Sequence, residues 1–208
     1  MIECLLLIFR CEATWDRLIK ARLSVAAITI KYLLPLLVIT SAGEAYGLMH
    51  WGKWRGTVAH LETFAVKEVV VFEAGQFVLT LMTVFITAAI VKSLGETFHG
   101  RHTYTQSFTA VAYALSPLYT LRLLDAFAVV SPWLVWGVGV VLSVGILYHG
   151  LPRAMLPDPP QAFGLYLVSA LMLIMITGVV RFITAWYLSG HFSRLEDLIL
   201  RFVGVSKG

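Results

Sequence analysis

Charged side chains make up only 13% of this chain, about half the roughly 25% that a soluble domain carries. A soluble fold of 208 residues that is 59% hydrophobic would lack the polar groups needed to cover itself. Cysteine is nearly absent. Cys4 and Cys11 lie in one short segment and make neither a disulfide framework nor a metal site. No Ser- or Gly-rich linker, low-complexity tract or heptad run interrupts the chain, so no attached soluble module is expected. The Walker loop, G-x-S-x-G and H-E-x-x-H patterns are all missing, which removes the catalytic classes they announce. The first apolar stretch, "CLLLIF", has no basic residue before it and no small-residue cleavage pattern after it, and does not read as a cleavable signal.

What remains is apolar and periodic. A membrane span needs about 20 mostly apolar residues, and five runs qualify: residues 26–48, 69–91, 104–124, 131–148 and 162–185. The sixteen Lys and Arg are scattered as singlets, most of them between these runs. That is the pattern of flanking residues and not the basic stripe of a nucleic-acid binder. Two further segments are amphipathic and read as helices lying in the membrane interface. "TWDRLIKARL" gathers Trp15, Leu18 and Ile19 on one side, with Asp16 and Lys20 at ion-pair spacing. "SRLEDLILRF" opens on a Ser193/Glu196 capping box and places Leu195, Leu198, Ile199 and Phe202 on one face. The fold class is therefore all-α: a polytopic membrane helix bundle of five transmembrane helices with N- and C-terminal amphipathic interfacial helices. The divisions fall at residues 1–25, 26–188 and 189–208. The basic residues split almost evenly between the two faces; the densest cluster, Arg17, Lys20 and Arg22, precedes the first span and favours a cytoplasmic N-terminus.

The stretch "YALSPLYTLRLLDAF" puts a proline inside an apolar run and then an arginine and an aspartate three residues apart. "SPW" reads as the next helix start, with Ser131 as cap and Pro132 in the first turn. Arg122 and Asp125 then fall in the last turn of the third span and are expected to close a headgroup-level hairpin as a pair, where charge costs little. Pro117 is expected to bend that span by freeing the carbonyl near Tyr113, with Ser116 able to re-satisfy the backbone.

In order along the chain, "ATWDRLI", "YLLPL", "FHGRHTYTQSF", "AYALSP" and "SPWLVWGVGVVLSVGILYHGLPRAM" resemble the Yip domain family, named for Ypt/Rab-interacting proteins. The resemblance runs over about residues 8 to 188. It implies five membrane helices, a cytoplasmic N-terminus and no catalytic chemistry. Eukaryotic members act in vesicle traffic and bind prenylated Rab-type GTPases, usually through a longer cytosolic N-terminal region. That region and the eukaryotic "DLYGP" signature are not found here. The chain looks more like the prokaryotic branch, and the Rab-binding role is not carried over.

Candidate chemistry is sparse. Glu44 lies near the far end of the first run, and Glu73 and Gln76 near the start of the second, so a short connection brings them to one face. They read either as an intramembrane carboxylate site for a proton or cation, or as headgroup-level residues satisfied by Lys53, Arg55 or lipid. Lys31 is expected to snorkel. Glu96, His99 and His102 form a weak ligand set beside Gly100, and His149 a weak axial candidate; no metal or cofactor is expected. Gly139 and Ser143 make a small-xxx-small pair, a packing signal inside the bundle or between subunits. The expected function is that of a non-enzymatic membrane scaffold or accessory subunit, with a small transporter or channel component as the alternative. The partners expected are the lipid bilayer and other membrane proteins or further copies of the chain, without nucleic acid. The expected location is a bacterial cytoplasmic (inner) membrane.

Overall fold

The computed structural model describes residues 2–55, 60–98 and 103–188. Its helices are α1 (Ile2–Phe9), α2 (Cys11–Lys20), α3 (Val25–Ile28), α4 (Leu34–His50), α5 (Val66–Thr97), α6 (Tyr104–Ala114), α7 (Ser116–Leu121), α8 (Pro132–Met155) and α9 (Pro159–Leu188). Among the described residues, four continuous helices are long and apolar enough to cross a membrane: Val25–His50, Val66–Thr97, Pro132–Met155 and Pro159–Leu188. The protein is an all-α polytopic bundle. The C-terminal amphipathic segment, with Ser193 and Glu196, lies outside the described residues, as do His99 and His102.

The first of these helices contains a π turn over Thr29–Leu33 that joins α3 to α4. Its cause is Pro35, in the first turn of α4, which has no N–H to return to the carbonyl one turn back. Lys31 sits in that turn and is exposed.

The third expected span is not a continuous helix and is not among these four. Thr103 and Gln106 form a capping box at the start of α6. The helix stops at Ala114, resumes as α7 at Ser116, and tightens into a 3-10 turn over Arg122–Ala126. Pro117, in the first turn of α7, leaves the Tyr113 carbonyl without its helical donor, and the Ser116 hydroxyl donates to it at 2.5 Å. This segment is the innermost of the bundle, because every residue from Ala110 to Pro117 is buried. Its alanines, Ala110, Ala112 and Ala114, let α5 and α8 approach from both sides. Gly139 serves the same purpose from α8: a Cβ there would meet the Leu118 side chain of α7 at 2.7 Å. Ser143, one turn on, is fully buried. The small pair is thus a packing seam, with Gly139 facing α7 of the same chain. Ser131 occupies the cap position of α8, yet its side chain makes no capping hydrogen bond, and Pro132 alone marks the start.

The apolar stripe of the N-terminal amphipathic helix α2 is covered by protein. Trp15 is fully buried and Leu18 nearly so, both against α8. Gly150 makes the room, since a Cβ there would overlap the Trp15 ring. On the rim, Arg153 pairs with Glu12 at 3.1 Å and with Asp16 at 3.5 Å, and His149 lies 3.7 Å from Glu12. Asp16 therefore reaches across to α8 and not along its own helix to Lys20.

At the opposite end, a short antiparallel hairpin pairs Lys53–Arg55 with His60–Glu62. Gly52, at φ 67, turns the chain out of α4 into it. The Phe64 amide donates to the Leu48 carbonyl at 3.3 Å and ties the hairpin's exit to α4.

Gly150→Ala should loosen α2 by roughly 1–3 kcal/mol, the usual range for overpacking a filled site. Gly145→Ala, where a Cβ meets nothing within 4 Å, should be neutral. Thermal unfolding of the two variants in the same detergent checks this contrast.

Candidate functional site

Among the described residues, six charged side chains are buried: Glu44, Lys53, Glu73, Arg122, Asp125 and Arg181. They belong to one cluster, at the end of the bundle where α4 finishes, α5 begins and α9 approaches its end. Glu44 lies six residues before the last of α4, Glu73 seven after the first of α5, and Arg181 seven before the last of α9. At 1.5 Å per residue each is about 10 Å inside its helix.

Arg122 is the hub. Its Nε donates to Glu44 Oε2 and its Nη2 to Glu73 Oε2, each at 2.5 Å, while Nη1 lies 3.4 Å from Ser41 Oγ. Gln76 completes the ring with its amide oxygen turned to the guanidinium, accepting from Nε at 2.7 Å and Nη2 at 3.2 Å. The opposite amide orientation would aim an N–H group at an arginine, which can only donate. The planar fork suits this position, because a lysine could not serve two carboxylates and an amide at fixed angles.

A second centre forms three residues on. Asp125 accepts from Arg181 Nη2 on one oxygen and pairs with Nη1 on the other, both at 2.9 Å. Lys53, inward-facing on the hairpin, stands 3.9 Å from the same carboxylate. Burial pushes the Lys53 ammonium below its ordinary pKa, and Asp125 opposes that shift. Glu44, Arg122 and Glu73 together carry one net negative charge; Lys53, Asp125 and Arg181 carry one net positive charge. The two triads hang one turn apart from a single 3-10 turn, and the formal charges of the cluster as a whole balance.

The turn reaches this place because of two glycines. A Cβ on Gly43 would lie 2.5 Å from the Leu123 side chain, and one on Gly47 would overlap the Ala126 carbonyl oxygen. The stripe "GEAYG" on α4 lets the backbone of the turn lie directly on the helix. Glu44 is on the neighbouring position and meets Arg122.

The structure therefore brings Glu44, Glu73 and Gln76 into one site, and it differs from the sequence reading in three ways. The cation between the carboxylates is Arg122 of the same chain. Arg122 and Asp125 do not pair with each other at headgroup level; both are buried, and each finds its partners on other helices. Arg181, read as a flanking charge, belongs to the site, and Lys53, offered as a partner for Glu44 and Glu73, meets Asp125 instead. The signals for the missed parts were an arginine inside the apolar run "ITGVVRFITAW" and the Gly43-xxx-Gly47 spacing. Among the described residues no group of His, Cys, Asp and Glu side chains is placed to hold a metal, and Glu96 pairs with Lys92 at 3.0 Å.

A model of the Yip1 domain matches residues 5–203, and the chain belongs to that family. No curated protein and no solved structure matches it.

Replacing Arg122 by Leu strands two buried carboxylates, and a broken buried pair costs about 3–5 kcal/mol. Arg122→Lys should recover only a minor part of that loss. Gly47→Ala, which pushes the turn off α4, should resemble a weaker Arg122 variant, whereas Gly75→Ala, open to 4 Å around its Cβ, should have no effect. Unfolding in mixed micelles ranks the four variants. Equal stability of Arg122→Leu and the parent would show that the guanidinium holds nothing together.

Proposed function

We propose that this member of the Yip1 domain family is a non-enzymatic membrane scaffold or accessory subunit, and that its buried charge cluster is a clamp. The observation that carries this reading is the balance of charge: three acids and three bases, all buried, neutralise one another within the chain. A carrier of protons or cations needs an acid free to take up its cargo. Here Glu44 and Glu73 both spend an oxygen on Arg122. The clamp holds α4, α5, the third segment and α9 in fixed relation, and leaves the outer faces of the helices for partners.

The outer face of α8 suits such a partner. Gly137 and Gly145 meet nothing within 4 Å, and Val141 between them is 71% exposed. Small residues spaced along a lipid-facing helix permit close approach of another. The partner is another membrane protein or a second copy of this chain. The location is a bacterial cytoplasmic membrane, with the N-terminus cytoplasmic, as the Arg17, Lys20 and Arg22 cluster favours.

A photocrosslinker placed at Val141 in native membranes, followed by identification of the adduct, tests the scaffold reading. A defined membrane-protein adduct or a dimer supports it; lipid adducts alone count against it. Reporter fusions at both termini should place them on opposite faces, and both on one face would remove the five-crossing path.

One observation favours the transporter alternative. A cleft between α4 and α5, lined by Ser41, Ala45, Met49 and Glu73, reaches the cluster separately from a second one lined by Gln76, Arg122 and Asp125. Arg122 and Gln76 would then be the plug between them. Reconstituted vesicles discriminate: proton or cation flux abolished by Glu73→Gln would establish the alternative, and absence of flux in the parent protein would leave the clamp.

A further inference from the structure

The hairpin between α4 and α5 has two faces of different kind. Successive side chains of a strand point to opposite faces, and Lys53, 6% exposed, is committed to the inner one beside Asp125. Trp54 is thereby turned outward. Its cross-strand partner is Leu61, and the two are 58% and 53% exposed. A two-stranded hairpin is marginal by itself in water, and this one leaves its apolar pair uncovered by the chain.

The level at which the pair stands follows from the helices. Val25–His50 has 26 residues, a length of about 39 Å at 1.5 Å per residue. The hydrocarbon core is about 30 Å thick, and about 40–45 Å with its headgroup layers. α4 therefore ends among the headgroups. The hairpin does not rise freely from that end into water. At its entry the Gly52 amide donates back to the Gly47 carbonyl at 3.2 Å, and at its exit the Phe64 amide donates to the Leu48 carbonyl at 3.3 Å. Both roots are bound to the last turns of α4.

Most of the tryptophans share this end. Of the six in the chain, Trp51, Trp54, Trp133, Trp136 and Trp186 belong to it. Trp51, Trp133 and Trp186 are exposed like Trp54. Trp51 stacks on Phe127 at 5.0 Å and meets Tyr46 edge-on. Tryptophan gathers at the membrane–water boundary, where its ring meets acyl chains and its N–H meets headgroups. Rings spread over the ends of α4, α8 and α9 and over the hairpin suit a boundary that surrounds the bundle, not a partner that takes one side.

We infer that the hairpin is an interfacial membrane element. Its outer face, Trp54 and Leu61, is a lipid-contact surface seated between the headgroups and the first methylenes of the acyl chains, while Lys53 on its inner face closes the charge cluster. The inference stands whichever reading of the cluster holds, because it uses the outer face alone.

The test uses the purified full chain with Cys4 and Cys11 replaced by alanine, spin-labelled at Leu61→Cys and reconstituted in phosphatidylethanolamine–phosphatidylglycerol vesicles. Collision of the label with oxygen, which concentrates in lipid, is compared with collision with a water-soluble nickel chelate. Met175→Cys, at an exposed position near the middle of α9, is the lipid reference, and labelled glutathione is the water reference. The oxygen-to-nickel ratio at Leu61 should stand several-fold above that of glutathione, towards that of Met175. A ratio equal to that of glutathione overturns the inference, because the hairpin then stands in water. Low collision with both reagents overturns it as well, because a partner protein or a second copy of the chain then covers the pair. Trp54→Cys is read in parallel and should agree. Thermal unfolding shows which of the two labelled variants are folded, and either folded one decides.

Discussion

The structure depends on one guanidinium. Arg122 enters a low-dielectric bundle on a short 3-10 turn and is held there by two carboxylates from two other helices. Neither acid nor base is tolerable alone at that depth, where an unpaired charge costs several kcal/mol. The pairing therefore dictates where the turn sits, and the turn dictates where the third segment ends and α8 begins. Gly43 and Gly47 on α4, and Gly139 on α8, are the geometric terms of the same arrangement. They remove the side chains that would hold the third segment away from its neighbours.

The third segment is broken while its four companions are continuous. In the 3-10 turn, at three residues per turn, Arg122 and Asp125 stand one above the other on one face. They do not pair with each other, because each is drawn to partners on other helices: Arg122 to Glu44 and Glu73, and Asp125 to Arg181. The backbone polar groups that the break exposes are answered locally, as with Ser116 and the Tyr113 carbonyl, which is the condition for irregular backbone inside a membrane protein.

The bundle and the approximate helix ends were legible in the sequence, because length and hydropathy follow directly from the bilayer. The proximity of Glu44, Glu73 and Gln76 was legible too, since a short connection between two helices leaves little choice of geometry. What could not be read was which cation answers them. Arg122 is 78 residues from Glu44 in the chain, and local spacing offered Asp125 as its obvious partner. Arg181 looked like a flanking residue for the same reason: its partner lies on another helix. The stripe of α2 misled differently. An amphipathic helix looks the same whether lipid or protein covers it, and only the absent side chain at Gly150, far along the chain on α8, decides for protein.

The two triads bear opposite net charge, and this has a consequence for assembly. Glu44 and Glu73 enter on the first two long helices, with Lys53 between them on the hairpin as the only base of the cluster so far in chain order. Arg122 arrives with the third segment and Asp125 three residues later. Until α9 brings Arg181, the partial cluster holds three acids against two bases, and the excess negative charge sits in an apolar setting. Closing α9 onto α5 removes it. α9 is thus bound by charge as well as by packing, about two turns before Leu188. Once all three acids are in place the charges balance only with Arg181 present, so the clamp favours the assembled arrangement over one that lacks α9.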